Sequence, residues 1–458
     1  MHEPAPTLKI AYIAAGAAGM YCGSCLHDNT LAAALREQGH DTILVPTYTP
    51  TRTDEENLSI DRVFFGGINV YLQQKSALFR HTPWCLDRVL DAPAVLNLVS
   101  HLATSTRPED LGDLTVSMLQ GEAGRQRKEL DKLARWLREQ IQPDLVHLSN
   151  SMLIGMARQL GQELRVPILC TLSGEDIFLE KLVEPHYSQA RATLRERAGD
   201  IDAFVALNRY YADFMAEYLA VDRGRVYVVP HGLSLEGHAP RPPRSASGER
   251  RLGYFARICP DKGLHLLVEA WLQLARDPEM PPVRLCVAGY LGAGDRGYFD
   301  DLCAQIRAAG LADRFEHAGE VDREGKIAFL QSLDVMSVPT VYRESKGISI
   351  LESLANAVPV VLPAHGTFPE LIEDTGGGVL CEPGNPAALA EALGRLLTDP
   401  VLADDLGRRG HSAIVERYHR GAMAEATVAL YRQVLAEAAT ADRTRPAASA
   451  AFPNPIRR

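Results

Sequence analysis

The sequence lacks any long run of hydrophobic residues. Among its 458 residues no stretch approaches the roughly 18 consecutive apolar residues that a transmembrane helix needs. The first residues also show no signal-peptide or lipid-attachment pattern. We therefore expect a soluble, cytoplasmic protein. Contact with a membrane surface stays open, but no feature of the sequence supports it.

An excess of basic residues is also absent. The chain has 48 Lys and Arg against 58 Asp and Glu, and its formal net charge is −10. Proteins that bind nucleic acid usually carry a basic patch or stripe, so we expect no nucleic-acid partner. A few well-placed Arg and Lys residues still suffice to bind one phosphorylated ligand.

Cysteine is sparse as well, with 8 residues that mostly lie in apolar, strand-like runs. That distribution indicates core residues in a reducing compartment and not a disulfide scaffold. Cys22 and Cys25 form a CxxC motif where a helix is expected to start. The motif admits packing along a cleft, redox sensing, or metal binding together with His27. We favour packing, because no fourth metal ligand is evident and the strand pattern does not fit a thioredoxin.

Short β-branched runs alternate with longer amphipathic stretches along the whole chain. The predicted strands are residues 9–14, 41–47, 144–149, 167–172, 203–208 and 226–230 in the first half, and 251–256, 284–289, 314–318, 335–339, 359–362 and 377–381 in the second. Near-continuous apolar strands separated by helices are typical of parallel sheets that are covered on both faces. The pattern predicts an α/β protein with two doubly wound, Rossmann-like domains facing across a cleft.

A segment rich in Pro, Gly and Ser at residues 232–248 separates the two halves. The predicted organisation is a first Rossmann-like domain at 1–235 with a helical insertion at 76–126, a second Rossmann-like domain at 236–415, a helix at 416–438 that packs back towards the first domain, and a disordered tail at 439–458.

Two cations follow the first predicted strand of the second half. Arg257 and Lys262 lie five residues apart, and Pro260 and Gly263 shape a tight turn between them and the next helix. An Arg can grip two phosphate oxygens, whereas a Lys acts as a point charge. A solvated turn is the alternative interpretation, and spacing alone does not decide between the two.

A polar loop and a helix start follow the predicted strand at 335–339. The N–H groups of Gly347, Ile348 and Ser349 are expected to point out of the helix N-terminus towards a phosphate. Eight residues in a helix span roughly 12 Å, so Glu344 and Glu352 do not form the close carboxylate pair, about 5 Å apart, of a retaining glycosidase. We expect Glu352 to bind a ribose hydroxyl. The alternative is that both carboxylates are solvated surface groups.

These motifs carry a family resemblance. Arg257-x4-Lys262-Gly263 and Glu344-x7-Glu352 resemble the donor-site motifs of retaining GT-B glycosyltransferases, the glycosyl transferases group one (family four) type that includes sucrose-phosphate synthases and phosphatidylinositol mannosyltransferases. The glycine-rich segment with Gly16 and Gly19 before a helix is similar too. The resemblance covers residues 8–435. It implies transfer of a hexose from a nucleotide-diphosphate sugar, of the UDP or GDP type, to an unknown acceptor hydroxyl (on a glycan, a lipid or a small molecule), with retention and without a metal or other cofactor.

The resemblance also implies that the domain at 1–235 binds the acceptor and that the domain at 236–415 binds the nucleotide sugar, and it assigns roles to residues. Arg257 and Lys262 would neutralise the departing diphosphate, Glu352 would bind the ribose, and Glu344 with the loop amides would hold the sugar and the distal phosphate. The expected catalytic residues are Arg257, Lys262 and Glu344, and the expected donor-binding residues are Gly16, Gly19, Arg257, Lys262, Glu344, Ser345, Gly347, Ile348, Ser349 and Glu352.

The first half departs from the family pattern at one position. Ser173 stands where these enzymes often have a His that contacts the donor sugar, and a serine cannot replace an imidazole as acid or base. Ser173, Glu175 and Asp176 are therefore candidate sugar or acceptor contacts, with capping of the following helix as the alternative for the two acids. The missing His motivates a second hypothesis, a catalytically lapsed protein that only binds nucleotide sugars.

Two further motifs invite other interpretations. Asp200-Ile201-Asp202 spells a metal-binding DxD, but it precedes a predicted strand when it should follow one. Residues 292–297 spell the dinucleotide fingerprint and motivate a third hypothesis, an NAD-dependent oxidoreductase. That fingerprint should open directly after its strand, and here it begins three residues late.

Overall fold

The fold is described from a computed structural model, which covers residues 6–16, 23–51, 53–60, 62–65, 108–241 and 248–444. The predicted insertion at 76–126 is thus described only from residue 108 onwards. Gly19 and Cys22 lie outside the described residues.

The first half forms a parallel, doubly wound domain. Its six described strands are β1 (Lys9–Ala14), β2 (Asp41–Pro46), β3 (Leu145–Leu148), β4 (Ile168–Leu172), β5 (Ala203–Ala206) and β6 (Val226–Val228), in the sheet order β2-β1-β3-β4-β5-β6. The described helices are α1 (Gly23–Glu37), α2 (Pro108–Leu119), α3 (Arg127–Trp136), α4 (Ala157–Leu164), α5 (Asp176–Leu179), α6 (His186–Arg197) and α7 (Arg209–Leu219).

The second half repeats this plan. Its described strands are β7 (Arg250–Phe255), β8 (Val283–Ala288), β9 (Phe315–Gly319), β10 (Val335–Met336), β11 (Val360–Pro363) and β12 (Gly378–Cys381), in the order β12-β11-β10-β7-β8-β9. The helices are α8 (Leu264–Leu274), α9 (Arg296–Ala308), α10 (Arg323–Gln331), α11 (Ile348–Ala355), α12 (Phe368–Thr375), α13 (Pro386–Thr398), α14 (Pro400–Arg417) and α15 (Arg420–Thr444). The predicted fold class is therefore confirmed.

The burial of the strands explains why their sequences are almost continuously apolar. On β1, Ala11 and Ile13 pack into one core cluster, whereas Ile10 and Tyr12 pack into another on the opposite face of the sheet. All four side chains are fully buried. A parallel sheet covered on both faces requires this pattern.

Strand β10 is shorter than predicted. It ends at Met336, although the apolar run continues to residue 339. The N–H of Ser337 still donates to the carbonyl of Gly253 at 2.9 Å, but the chain then turns towards the loop that carries Glu344. Strands β7 and β10 are neighbours in the sheet. After β7 the chain continues towards one edge of the sheet, to β8, and after β10 it continues towards the other edge, to β11. This switch point is where open parallel sheets bind ligands.

The carboxyl-terminal helix lies against the first domain. Met423, Tyr431 and Val434 join the core cluster that contains Ile10 and Tyr12. The helix begins at Arg420 and ends at Thr444, so residues 439–444, predicted to be disordered, are helical. No Pro or Gly interrupts the chain there, and its Ala-rich sequence favours continued helix.

Candidate active site

Loops from the two domains meet where the carboxyl ends of both sheets face each other. The side-chain amide of Asn208, just after β5, donates to the carbonyl of Ser345 at 2.7 Å. Gly174, just after β4, has φ +97°, and a Cβ there would lie 2.8 Å from Ser345 Oγ. A glycine is therefore needed at this point both for its backbone conformation and for the close approach of the two loops.

A tight turn places Lys262 beside Glu344. The turn ends at Gly263, whose φ is +74° and whose Cβ would lie 1.8 Å from the carbonyl oxygen of Pro339. The N–H of Val341 also donates to the carbonyl of Asp261 at 2.9 Å. These contacts hold the turn after β7 against the loop after β10, and Lys262 Nζ donates to Glu344 Oε2 at 2.6 Å.

The side chain of Glu344 accepts four hydrogen bonds. Lys262 and the Tyr342 hydroxyl (2.9 Å) donate to Oε2, and the N–H groups of Ser345 (3.1 Å) and Lys346 (3.2 Å) donate to Oε1. Burial alone would raise the pKa of this carboxyl, but the charge of Lys262 and these donors outweigh it and lower the pKa to about 2. Glu344 is therefore ionised at neutral pH, and it orders the loop without being able to act as a general acid.

Two other cations in this region have no carboxylate partner. Arg257 is exposed at the end of β7, and Lys346 Nζ donates to Ser24 Oγ of α1 at 2.5 Å. Within the part of the chain that the structure describes, neither forms an ion pair. Their charges are thus available to an anionic ligand, whereas the charge of Lys262 is already compensated by Glu344.

Helix α11 presents its N-terminus to the same cleft. Gly347 stands at the N-cap with φ +69°, no acidic residue lies in the first turn, and the N–H of Ile350 already donates to the carbonyl of Gly347. The N–H groups of Ile348 and Ser349 remain outside the helical hydrogen bonds. The arrangement has the geometry of a phosphate-binding helix start.

Glu352 lies one turn further along α11 and is 4% exposed. Its Oε1 accepts a hydrogen bond from Lys326 Nζ at 2.6 Å. Burial raises the pKa of Glu352, and the charge of Lys326 opposes that effect. Because Glu344 is also only 7% exposed, the interpretation of both carboxylates as solvated surface groups is wrong.

Glu175 connects two loops of the first domain. Its carboxylate accepts the N–H of Ser173 at 2.8 Å and that of Ser151 at 2.9 Å. Burial raises its pKa. Although Glu175 occupies the N-cap of α5, its side chain makes no capping hydrogen bond, so capping is the wrong interpretation for this residue. Asp176 accepts from the Tyr211 hydroxyl at 2.6 Å.

Ser173 remains a candidate contact for the sugar or acceptor. Its side chain is half-buried, and its hydroxyl lies 3.5 Å from Glu175 Oε1. It borders Gly174, which contacts the Ser345 loop.

His27 and His231 form a buried pair. Their Nδ1 atoms lie 2.9 Å apart. Burial, and secondly the charge of Lys346, lower the pKa of His27 to about 3, so the ring is neutral at physiological pH. In the described ranges, no group of three or more His, Cys, Asp and Glu side chains is arranged to hold a metal ion. The buried Cys25 fits the packing interpretation, while Cys22 lies outside the described residues.

The structure explains the DxD motif at residues 200–202 and the glycine-rich motif at residues 292–297 without a metal or a dinucleotide. Asp200 pairs with Arg158 at 3.1 Å, and Asp202 accepts the N–H of Ile168 at 2.7 Å. Residues 292–297 lie in the connection between β8 and α9, where Ala293–Asp295 forms a 3-10 turn and the helix starts only at Arg296. The motif therefore does not open directly after its strand, as a dinucleotide fingerprint should.

Two family models match this chain, one for each domain. The model of the glycosyl transferase 4-like domain matches residues 29–232, and that of glycosyl transferases group 1 matches residues 239–413. The chain belongs to the GT-B glycosyltransferases.

Individual glycosyltransferases resemble the chain over different lengths. D-inositol 3-phosphate glycosyltransferase from Kineococcus radiotolerans is 32% identical over 244 residues, which are 49% of this chain and 55% of that protein. The match thus spans little more than half of that relative. The fold of sucrose-phosphate synthase from Thermosynechococcus elongatus superposes with a TM-score of 0.68 at 19% identity, covering 93% of this chain and 99% of that one. Anabaena HepE in complex with UDP gives 0.65 at 16% identity, covering 93% and 100%.

Sequence reasoning missed three polar residues of this glycosyltransferase's cleft. Lys346 lies inside the Glu344–Glu352 motif but was not singled out, although a cation beside a helix start is a usable signal. Lys326 resembles a surface lysine in an amphipathic helix, and Asp54 belongs to a short acidic run that is typical of an exposed loop. No local pattern marks those two.

Within the described ranges, no helix combines the length and hydrophobicity needed to cross a membrane.

Proposed function

We propose that the protein transfers a hexose from a nucleotide-diphosphate sugar, of the UDP or GDP type, to an acceptor hydroxyl with retention at the anomeric carbon. The observation that carries the proposal is a convergence at the switch point of the second sheet. Arg257, Lys262 and the N-terminus of α11 all lie at the carboxyl ends of β7 and β10. Cations beside a free helix start suit a diphosphate.

The charge distribution supports electrostatic catalysis. When the bond between the anomeric carbon and the diphosphate oxygen breaks, negative charge develops on the diphosphate. Arg257 and Lys262 stabilise that charge, and Lys262 is already oriented by Glu344 and by the Tyr342 ring, 5.0 Å from its Nζ. Groups that are oriented before reaction need little reorganisation during it.

The same scheme accounts for retention without a carboxylate nucleophile. The acceptor hydroxyl attacks the anomeric carbon from the face that the diphosphate leaves, and the leaving phosphate oxygen accepts the acceptor's proton. Glu344 is unsuited to the nucleophile's role, because four donors hold it. The scheme assigns no step to a metal or another cofactor. The nucleotide sugar itself is a co-substrate.

Ribose and phosphate recognition follow from the remaining contacts. Glu352 binds the ribose, and the amides of Gly347, Ile348 and Ser349 bind the distal phosphate. Support comes from Anabaena HepE, a protein of the same fold whose structure contains UDP. The acceptor lies on the side of the first domain, where Ser173 borders the cleft.

A turnover assay tests the proposal. The wild-type protein is incubated with UDP-, GDP- and ADP-sugars, and release of the nucleoside diphosphate is measured beside thermal-shift binding of UDP, GDP and ADP, because a bound nucleotide raises the melting temperature. Binding together with nucleotide release supports the transferase. Binding without release for every donor, in the presence of glycan, lipid and polyol acceptors, would favour the lapsed binding protein. Tight binding of a nicotinamide cofactor instead would favour the oxidoreductase.

A further inference from the structure

A charged network joins the ribose-binding carboxylate to the first domain. Arg323 and Lys326 lie one turn apart on α10 of the second domain. Arg323 pairs with Glu55 of the first domain at 3.5 Å. Lys326 Nζ contacts both Asp54 of the first domain and, at 2.6 Å, Glu352 of the second. One ammonium group therefore has a carboxylate partner on each side of the interface.

The centre of this network is buried. The side chains of Lys326, Glu352 and Asp54 are 6%, 5% and 10% exposed. A buried ammonium is stable only when nearby carboxylates compensate for its lost hydration. Since one of these carboxylates comes from each domain, the compensation of Lys326 is complete only while the first domain contacts the second.

The free oxygen of Glu352 shows where a ligand can bind. Lys326 donates to Oε1, and among the described residues no donor contacts Oε2. A carboxylate oriented through one oxygen presents the other in a fixed direction. Such an oxygen can accept hydrogen bonds from the two neighbouring hydroxyls of a ribose.

We propose that Asp54, acting through Lys326, positions Glu352 for the ribose of the nucleotide. Asp54 is then a positioning residue of the first domain for a ligand that the second domain binds. This inference rests on the proposed function, because it assumes that a nucleotide occupies the cleft.

The test compares two ligands that differ only in the ribose hydroxyls. Dissociation constants of UDP and 2′,3′-dideoxy-UDP, or of the corresponding GDP pair if the wild type binds GDP, are measured by calorimetry for the full-length wild type, Asp54→Asn and Glu55→Gln. Asp54→Asn keeps the size of the side chain, and Glu55→Gln is the matched control, because it removes the neighbouring cross-domain pair without touching Lys326. Unfolding midpoints of all three proteins confirm that each is folded.

The inference predicts an effect that depends on the ribose. Asp54→Asn should weaken UDP binding about tenfold, the scale of a hydrogen bond to a charged group, and leave dideoxy-UDP binding within about twofold. Glu55→Gln should change neither constant appreciably. Equal weakening of both ligands, or no weakening of UDP, would overturn the inference while leaving the proposed function standing. A wild type that binds no nucleotide at all would overturn both.

Discussion

Lys262 and Glu344, 82 residues apart in the sequence, form an ion pair of 2.6 Å in the cleft. Arg257, which belongs to the same sequence motif as Lys262, has no such partner among the described residues. We therefore propose different functions for the two cations of the motif. Lys262 would stabilise both the protein and the ligand, whereas Arg257 would serve the ligand alone.

This difference predicts unequal effects on the unliganded protein. Lys262→Ala leaves the buried Glu344 carboxylate without its cation and should lower the free energy of unfolding by about 2 kcal/mol. Arg257→Ala should change it by less than about 0.5 kcal/mol, as expected for an unpaired, exposed residue. Denaturant unfolding without ligand measures both. Equal destabilisation by the two substitutions would contradict the assignment.

Glu175 and Ser173 should differ in the same kind of experiment. The N–H groups of Ser151 and Ser173 donate to different oxygens of Glu175. Glu175→Gln therefore places an amide NH2 opposite one of these two donors, which should cost about 1–3 kcal/mol of stability. Ser173→Ala removes only a hydroxyl at 3.5 Å and should cost less than about 0.5 kcal/mol. If Ser173→Ala destabilises the protein as much as Glu175→Gln, the loop is not held as described.

His147 predicts a dependence of stability on pH. It is buried between the Tyr431 hydroxyl at 2.6 Å and the Thr171 hydroxyl at 2.8 Å. Burial, and secondly His27, lower its pKa from the ordinary 6.5 to about 3. Between these two pH values the unfolded chain binds a proton at His147 that the folded protein does not bind. The contribution of the buried His147 to stability is therefore fully present above pH 6.5 and is lost as the pH decreases towards 3.

Replacing this histidine should flatten the pH profile. The unfolding free energy of His147→Gln should fall less steeply with decreasing pH than that of the wild type, by about 1.4 kcal/mol per pH unit below 6.5. Denaturant titrations of both proteins at several pH values give the two slopes. Parallel profiles would show that His147 has the same pKa in the folded and unfolded protein, which would contradict the lowered pKa.

Lys346 predicts a further effect on nucleotide binding. Its ammonium has no carboxylate partner in the described ranges and lies beside the start of α11, where we place the distal phosphate. Lys346→Met should weaken binding of UDP about tenfold or more, because a charge-assisted hydrogen bond to a phosphate is lost.

The control for this experiment is a lysine elsewhere in the interface. Lys181→Met removes an exposed pair with Asp261, also between the domains, and should leave the affinity unchanged within about twofold. A Lys346→Met protein that binds UDP like the wild type would remove Lys346 from the phosphate site.

The fold was predictable because a strand that is buried on both faces has a continuous run of apolar residues in the local sequence. Runs such as residues 9–14 are apolar on both faces, and six such runs in each half predict two parallel sheets. The ends of elements were less predictable, because a tertiary contact decides them. Strand β10 ends at Met336 although Val338 continues the apolar run, since the chain must turn there towards the Glu344 loop.

The candidate site was predictable only in part. Arg257, Lys262, Glu344 and Glu352 lie in two compact motifs, and the switch point brings these motifs together. Lys326 pairs with Glu352, 26 residues away, and with Asp54, 272 residues away. Pairings over such distances depend on how the two domains meet, and no local spacing encodes that.

The most direct test of the central claim is donor cleavage by Arg257→Ala beside the wild type. With the nucleotide sugar that the wild type uses, release of the nucleoside diphosphate is followed at saturating donor. We predict that Arg257→Ala, still folded by its unfolding midpoint, loses at least about 100-fold in rate, since its charge stabilises the departing diphosphate. A rate close to that of the wild type, for this variant and for Lys262→Ala, would contradict the account.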